Sequence, residues 1–259
     1  MFLAAVLLQA STRVSSQADG VTVTFLANEG VLLSGGSKRV FIDALFEKYK
    51  SGFAIAADST QLALRTARAP FDSVNLVLVT HHHGDHFQPA PIAGHLRANP
   101  LAALLAPQQV VDSLRGRITQ DFAPRVMARA VARGAMRRDT VNGVPVTVLG
   151  LAHHDLQHYG YVVEIGGRRV LHVGDTDDGA KSFPVFRLDT MRIDLALLPQ
   201  WMGMRPQGRE MIERWIKPRH VAFFHVGSSA SDQREAERAI RANMPDASVL
   251  TRSLETRRW

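Results

Sequence analysis

The chain has 259 residues, 46% of them hydrophobic and 21% charged, with a formal net charge of +7 and no cysteine. That composition is ordinary for a globular protein, and the missing cysteine excludes disulfides, thiolate metal sites and cysteine nucleophiles. The basic balance favours an anionic small molecule over a basic partner, but no cluster of Lys, Arg and aromatic residues points to nucleic acid.

At the start, Phe2 to Ala10 is apolar and Ser16-Gln17-Ala18 has the form of a small-x-small cleavage site, although no basic residue precedes the apolar run. Residues 1–18 are therefore expected to be a leader, and 19–259 a single domain. The protein is periplasmic or secreted if that leader is a signal peptide, and cytoplasmic otherwise. No apolar run approaches the roughly 20 residues a membrane-spanning helix requires.

Val21 to Leu26 alternates as a strand, and Gly30 to Leu33 begins a second. Gly35-Gly36 turns the chain into Arg39-Val40-Phe41-Ile42-Asp43. The phrase returns later, where Tyr161 to Ile165 leads through Gly166-Gly167 into Arg168 to Val173, then Gly174 and Asp175. Two related β-rich halves facing each other, with helices outside, are the architecture this suggests.

Val74 to Thr80 reads as a buried strand, and the turn that leaves it is His81-His82-His83-Gly84-Asp85-His86. Two imidazoles two residues apart, then a carboxylate beside a third imidazole, place four candidate metal ligands at a strand end. Open α/β sheets put their chemistry there. Helices are expected over Phe87 to Ala98, Pro107 to Leu114 and Arg125 to Arg138. In the last of these, Arg125, Arg129, Arg133 and Arg137 would form one basic face, either solvated or guiding anions to the site.

Further ligand candidates also end strands. His153 and His154 follow the strand Val144 to Ala152, and either imidazole could be the ligand. Asp175 follows Gly174, although by itself it reads more readily as a cap of the next turn through Thr176. His225 closes the apolar run Val221 to Phe224. Helices over Arg209 to Ile216 and Ser231 to Asn243, and a strand over Ile193 to Leu198, complete the pattern. Alternation places Asp175 on the face of Leu171 and Val173 and turns His172 away. His82 is expected to face outward, and His95, His158 and His220 stand outside the ligand set. Four strands thus end in His or Asp, and imidazole with carboxylate suits zinc, with manganese or iron admissible.

His81-x-His83-x-Asp85-His86 resembles the signature of the metallo-β-lactamase superfamily. Phe25 to Phe46, the Gly174-Asp175-Thr176 phrase and Pro218 to His225 are similar to its other conserved segments, in the same order. The phrasing is most similar to the lactonase-like branch that includes ascorbate-phosphate lactonase. The resemblance implies a four-layer αββα sandwich of two facing mixed sheets with outer helices. It also implies one ion on His81, His83 and His153, a second on Asp85, His86 and His225, and Asp175 bridging them. Asp43 would be structural, and Asp85 would orient the hydroxide that the ions activate. The implied reaction is hydrolysis of an ester, lactone, amide or phosphoester. A β-lactamase or nuclease of the same superfamily, or an iron oxidoreductase in the same cage, is the alternative. Trp201, Met202 and Met204 would serve either as an apolar wall over the site or as core.

Overall fold

The computed structural model describes residues 20–177 and 183–259, so the expected leader lies outside the described residues. The first sheet contains β1 (Thr22–Ala27), β2 (Gly30–Gly35), β3 (Lys38–Ile42), β4 (Leu76–Leu78), β5 (Ala103–Ala106) and β6 (Val126–Ala128). The second contains β7 (Met136–Val141), β8 (Val144–Leu151), β9 (His158–Ile165), β10 (Arg168–His172), β11 (Leu195–Pro199), β12 (His220–Phe224) and β13 (Ser248–Val249). The last strand, β14 (Thr256–Arg258), returns to the first sheet and pairs with β1. In each sheet an antiparallel hairpin leads into parallel strands: β3, β4, β5 and β6 in the first, β10, β11, β12 and β13 in the second. Both sheets are mixed.

Three apolar clusters make this a four-layer sandwich. Phe25, Leu33, Ile42 and Leu78 of the first sheet meet Tyr161, Val163, Leu197 and Phe224 of the second between the sheets. The opposite face of the first sheet, including Phe41, Val77 and Leu104, packs on the helices α1 (Asp58–Arg65), α2 (Pro89–Ala98) and α3 (Gln108–Ser113). The outer face of the second sheet, including Leu171, Ala196 and Phe223, is covered by α4 (Gln200–Met204), α5 (Pro206–Glu210) with the π-helical turn Met211–Ile216, and α6 (Ala230–Asn243). Because successive strand residues face opposite ways, strands buried on both sides read as continuous apolar runs. Leu76-Val77-Leu78 and Leu195-Ala196-Leu197-Leu198 have that form.

The repeated Gly-Gly phrase is a repeated hairpin, and the two copies meet. A Cβ on Gly35 would sit 2.8 Å from the amide nitrogen of Gly166. Gly166 has φ +57°, and a Cβ there would run into the carbonyl oxygen of Gly20, whose amide donates to Gly166 O at 2.8 Å. Gly166→Ala therefore combines a left-handed backbone with a backbone clash, and should destabilise the fold by more than ~1 kcal/mol. Thermal unfolding would read this as a lowering of Tm by several degrees, at roughly 2–4 °C per kcal/mol for a chain of this size.

The expected helix over Arg125 to Arg138 does not form. Pro124 sits in the 3₁₀ turn Ala123–Arg125, Val126 to Ala128 add a strand to β5, and Met136 opens β7. The four arginines are dispersed rather than aligned. Arg125 donates to the carbonyls of Leu96 at 2.8 Å and Asn99 at 3.0 Å, tying down the end of α2. Arg129 pairs with Asp139 at 2.7 Å, and Arg137 lies 3.9 Å from the same carboxylate. Only Arg133 approaches the cleft, donating to the carbonyl of His154 at 2.6 Å. Four-residue spacing of charge was a coincidence of a segment whose apolar residues, Val126 and Met127, follow strand pairing instead.

Strand alternation turns His172 away from Leu171 and Val173 as expected, but misplaces Asp175. β10 stops at His172, and Gly174 with φ +58° turns the chain before Asp175. Leu171 and Val173 therefore face the outer helices while Asp175 enters the cleft. His172 lies between the sheets, donating Nε2–H to Glu29 O at 3.1 Å and accepting from Gly174 N at 3.2 Å.

Candidate metal centre

Four segments bring their chemistry to one edge of the sandwich, where β4, β8, β10 and β12 end. Backbone strain gathers there too: Asn28, Asp43, His154 and His225 all have φ between 47° and 56°, a conformation that costs energy for residues with a Cβ. His225 is held in it by donating its amide to Asn28 O at 3.1 Å.

Ligand atoms of His81, His83, His153 and Asp175 all lie within 4.8 Å of one another, and so do those of Asp85, His86, Asp175 and His225. Asp175 belongs to both groups. Its Oδ2 is 3.3 Å from His86 Nε2 and 4.0 Å from His81 Nε2, and its Oδ1 is 3.4 Å from His225 Nε2. Asp85 Oδ2 lies 3.6 Å from His86 Nε2 and 3.7 Å from His225 Nε2, and accepts from Asn28 Nδ2 at 3.1 Å. All seven residues expected at the site are therefore brought together. His154 is exposed and turned toward Asp177, forming a peripheral group with His153.

Asp43 fixes how two of these imidazoles face the cleft. Thr80 donates to it twice, through N to Oδ1 at 2.8 Å and through Oγ1 to Oδ2 at 2.6 Å. The single hydroxyl hydrogen of Thr80 is thereby committed, so the 3.0 Å contact between Thr80 Oγ1 and His81 Nδ1 requires the imidazole to donate. His86 Nδ1 donates to Asp43 Oδ2 directly, at 2.9 Å. Both rings then turn Nε2 inward, unprotonated already in neutral His81 and free to give up its proton to an incoming cation in His86. The two repeated hairpins end in Asp43 and Asp175, and these carboxylates flank His86, Asp43 bonded to Nδ1 and Asp175 3.3 Å from Nε2.

The donor set fits a cation by its unmet needs. His86 Nε2, both ring nitrogens of His153 and Oδ1 of Asp175 are buried with no hydrogen-bond partner. Each such atom costs about 1–3 kcal/mol when nothing satisfies it, and a divalent ion would satisfy them together. The electrostatics agree. Burial opposes charge on His86, yet Asp175 and Asp43 outweigh it and raise its pKa well above the usual value. Burial likewise opposes charge on Asp175, but His86 and His225 hold its carboxyl well below the usual range. His81 is pushed well down by burial, then by the neighbouring His86, and stays neutral.

Several residues at the centre were not singled out from sequence. Glu29 is fully buried within 4.8 Å of the Asp43 and His86 ligand atoms, and burial followed by the charge of Asp175 raises its pKa well above the carboxylate range. Its signal was an Asn-Glu pair between apolar strands, which also describes an ordinary exposed turn. His158 lies in the second sheet with its ring 5.1 Å from His81 and 5.3 Å from His153, and a Cβ on Gly174 would meet its Nε2 at 2.6 Å. Its place at the start of β9 carried no pattern. His82 is half-buried, with its ring stacked on His83 at 5.9 Å. His95 is structural, donating Nδ1–H to Leu64 O at 2.6 Å behind the first sheet. Of the proposed wall, Met202 is core, whereas Trp201 is half-buried with its ring 5.1 Å from His225.

The sequence pattern of the β-lactamase superfamily domain matches residues 38–258. The chain belongs to that family. It is similar to a UPF0173 metal-dependent hydrolase of Pyrococcus furiosus, at 28% identity over 232 residues, covering 85% of this chain and 92% of the relative. Its fold is that of the metallo-β-lactamase fold protein YhfI from Bacillus subtilis, with TM-score 0.65, 13% identity and coverage of 93% of this chain and 100% of the other. It also overlays on part of CmlA, a diiron β-hydroxylase from Streptomyces venezuelae, with TM-score 0.60 and 14% identity over 94% of this chain and 54% of the other. The four-layer αββα sandwich expected from the sequence is the fold observed. Among the described residues, no helix is long and apolar enough to cross a membrane.

Proposed function

We propose that this metal-dependent hydrolase, with residues 19–259 as one catalytic domain, works through two divalent cations on a small-molecule ester, lactone, amide or phosphoester. The observation that carries this reading is the pair of donor groups sharing Asp175. One ion would be held by His81, His83 and His153, and the other by Asp85, His86 and His225, with Asp175 common to both. Imidazole and carboxylate donors without thiolate suit zinc, and also manganese or iron. Such ions, when bound, bring the pKa of water toward neutrality and polarise the substrate oxygen.

The protein's own groups supply the rest. Asn28 holds Oδ2 of Asp85, leaving the other carboxylate oxygen to orient the attacking water and accept its proton. Thr80 and Asp43 keep His81 and His86 in one tautomer, so those donors need no rearrangement during the reaction. The proposed reaction needs no serine or cysteine nucleophile. The net charge of +7 favours an anionic substrate, and Arg133, which donates to His154 O at 2.6 Å, is a basic side chain beside the site that could meet one.

Metal analysis by mass spectrometry should find about two ions per chain, with hydrolysis of a small ester, lactone, amide and phosphoester panel restored by zinc, manganese or iron. Less than one ion per chain after incubation with each metal would sink the reading. The overlay on a diiron protein makes iron a necessary arm of that test. Removing the metal should also lower stability. A ligand present at 100 times its Kd contributes about 2.7 kcal/mol, so chelation should shift the unfolding midpoint down by several degrees.

A further inference from the structure

We infer that the substrate carries a flat apolar group, which lies against Phe53 and Trp201 beside His225. This inference rests on the metal-centre reading and adds the chemical class of the group that accompanies the bond cleaved.

The cleft has two unlike sides. Phe53 and Trp201 come from distant segments, yet both pack edge-on to the same imidazole, with ring centroids 5.5 Å and 5.1 Å from His225 and interplanar angles of 75° and 69°. Tyr49 extends the surface, 4.9 Å from Phe53 and T-shaped to it. All three rings are half-buried rather than buried. A single aromatic at a surface needs no explanation, but several gathered on one functional imidazole form a patch of the kind that binds. Core packing accounts for only part of Trp201, which rests against the core that Met202 fills under α4 yet remains half-buried. Its indole N–H reaches Thr176 O at 3.4 Å, next to Asp175.

The surface is also fixed in place. The segment that bears Tyr49 and Phe53 is tied to the His225 loop where Ser228 N donates to Gly52 O at 3.0 Å. The Tyr49 ring lies over the ligand turn, since a Cβ on Gly84 would stand 3.0 Å from Tyr49 Cε2. A preformed surface loses little entropy on binding. The opposite side, at His153, is polar: His154 and Asp177 are exposed there, and Arg133 donates to His154 O at 2.6 Å. A substrate with one apolar and one polar end is therefore orientated, its flat group toward His225 and its polar end toward His154.

The test uses two carboxylates of matched charge, 2-naphthylacetate and butyrate, titrated by calorimetry into the zinc-loaded protein. Wild type is expected to prefer 2-naphthylacetate by about tenfold or more, since each aromatic contact adds a few-fold beyond simple burial. Phe53→Ala and Trp201→Ala should each reduce that preference several-fold and leave butyrate binding and zinc content unchanged. Phe53→Leu and Trp201→Leu serve where an alanine variant does not fold. Equal affinity for the two acids in wild type, or a preference that survives both substitutions, overturns the inference. Failure of the metal reading shows separately, as zinc content below one ion per chain. In that case, quenching of the Trp201 fluorescence by 2-naphthylacetate in metal-free protein, against Trp201→Phe as blank, still decides the inference: quenching supports it and its absence overturns it.

Discussion

Asp175→Ala should reduce hydrolysis by at least ~10²–10³-fold, the scale of losing a preorganised charged group at a reacting centre, and should drop the metal content from about two ions to one or fewer. The expectation follows from its position. Among the described residues no other carboxylate belongs to both four-residue donor groups, with oxygens 3.3 Å from His86 Nε2 and 3.4 Å from His225 Nε2. Loss of His83 would weaken one group, whereas loss of Asp175 weakens both and leaves His81, His86 and His225 without the anion that offsets a bound cation. Metal content by mass spectrometry and steady-state rates on the same preparation check the claim. Asp175→Asn keeps the shape and removes the charge, so it should resemble the alanine variant in metal content. If Asp175→Asn kept two ions and near-normal rates, the shared-carboxylate account would be wrong.

How much of this was legible in the chain depends on how local each signal is. The His81 to His86 cluster is compressed into one turn, and strand-end positions singled out Asp175, His225 and the pair His153 and His154, between which only the family resemblance chose, because a buried strand announces itself by its apolar run and the residue after it is easy to read. The repeated Gly-Gly hairpin was visible for the same reason, and it foretold two facing halves. What could not be read was anything set by a turn of the backbone or by contact across the sandwich. Alternation along β10 failed at Gly174, whose φ of +58° re-aims Asp175. Glu29 reached the centre through the turn between β1 and β2, and Tyr49 and Phe53 through a loop with no periodicity. The arginine stripe misled because charge at helical spacing was weighed above Pro124 and the apolar pair Val126-Met127, which fit a strand at the end of the sheet.

Asp43 offers the sharper test of that long-range organisation, because it is remote in sequence from every residue it controls. Asp43→Ala should weaken metal binding by about 10–100-fold, the usual consequence of removing the group that orients a ligating histidine. It should also destabilise the fold by about 1–3 kcal/mol, since the Thr80 amide and His86 Nδ1 are left buried without an acceptor. Asp43→Asn is the informative companion. Its amide carries one acceptor oxygen where the carboxylate has two, and its NH2 would face either the Thr80 amide or the Thr80 hydroxyl and His86 donors. If the amide takes the second arrangement, His86 is pushed toward the tautomer that puts its proton on Nε2, in the path of the cation. Chelator competition on the two variants should therefore give losses of similar size, while thermal unfolding should show the asparagine variant as the more stable. Asparagine with wild-type metal affinity would mean that its oxygen still accepts from His86 Nδ1 with the NH2 against the Thr80 amide, whereas Asp43→Ala with wild-type affinity would show that Asp43 does not set the tautomer of His86.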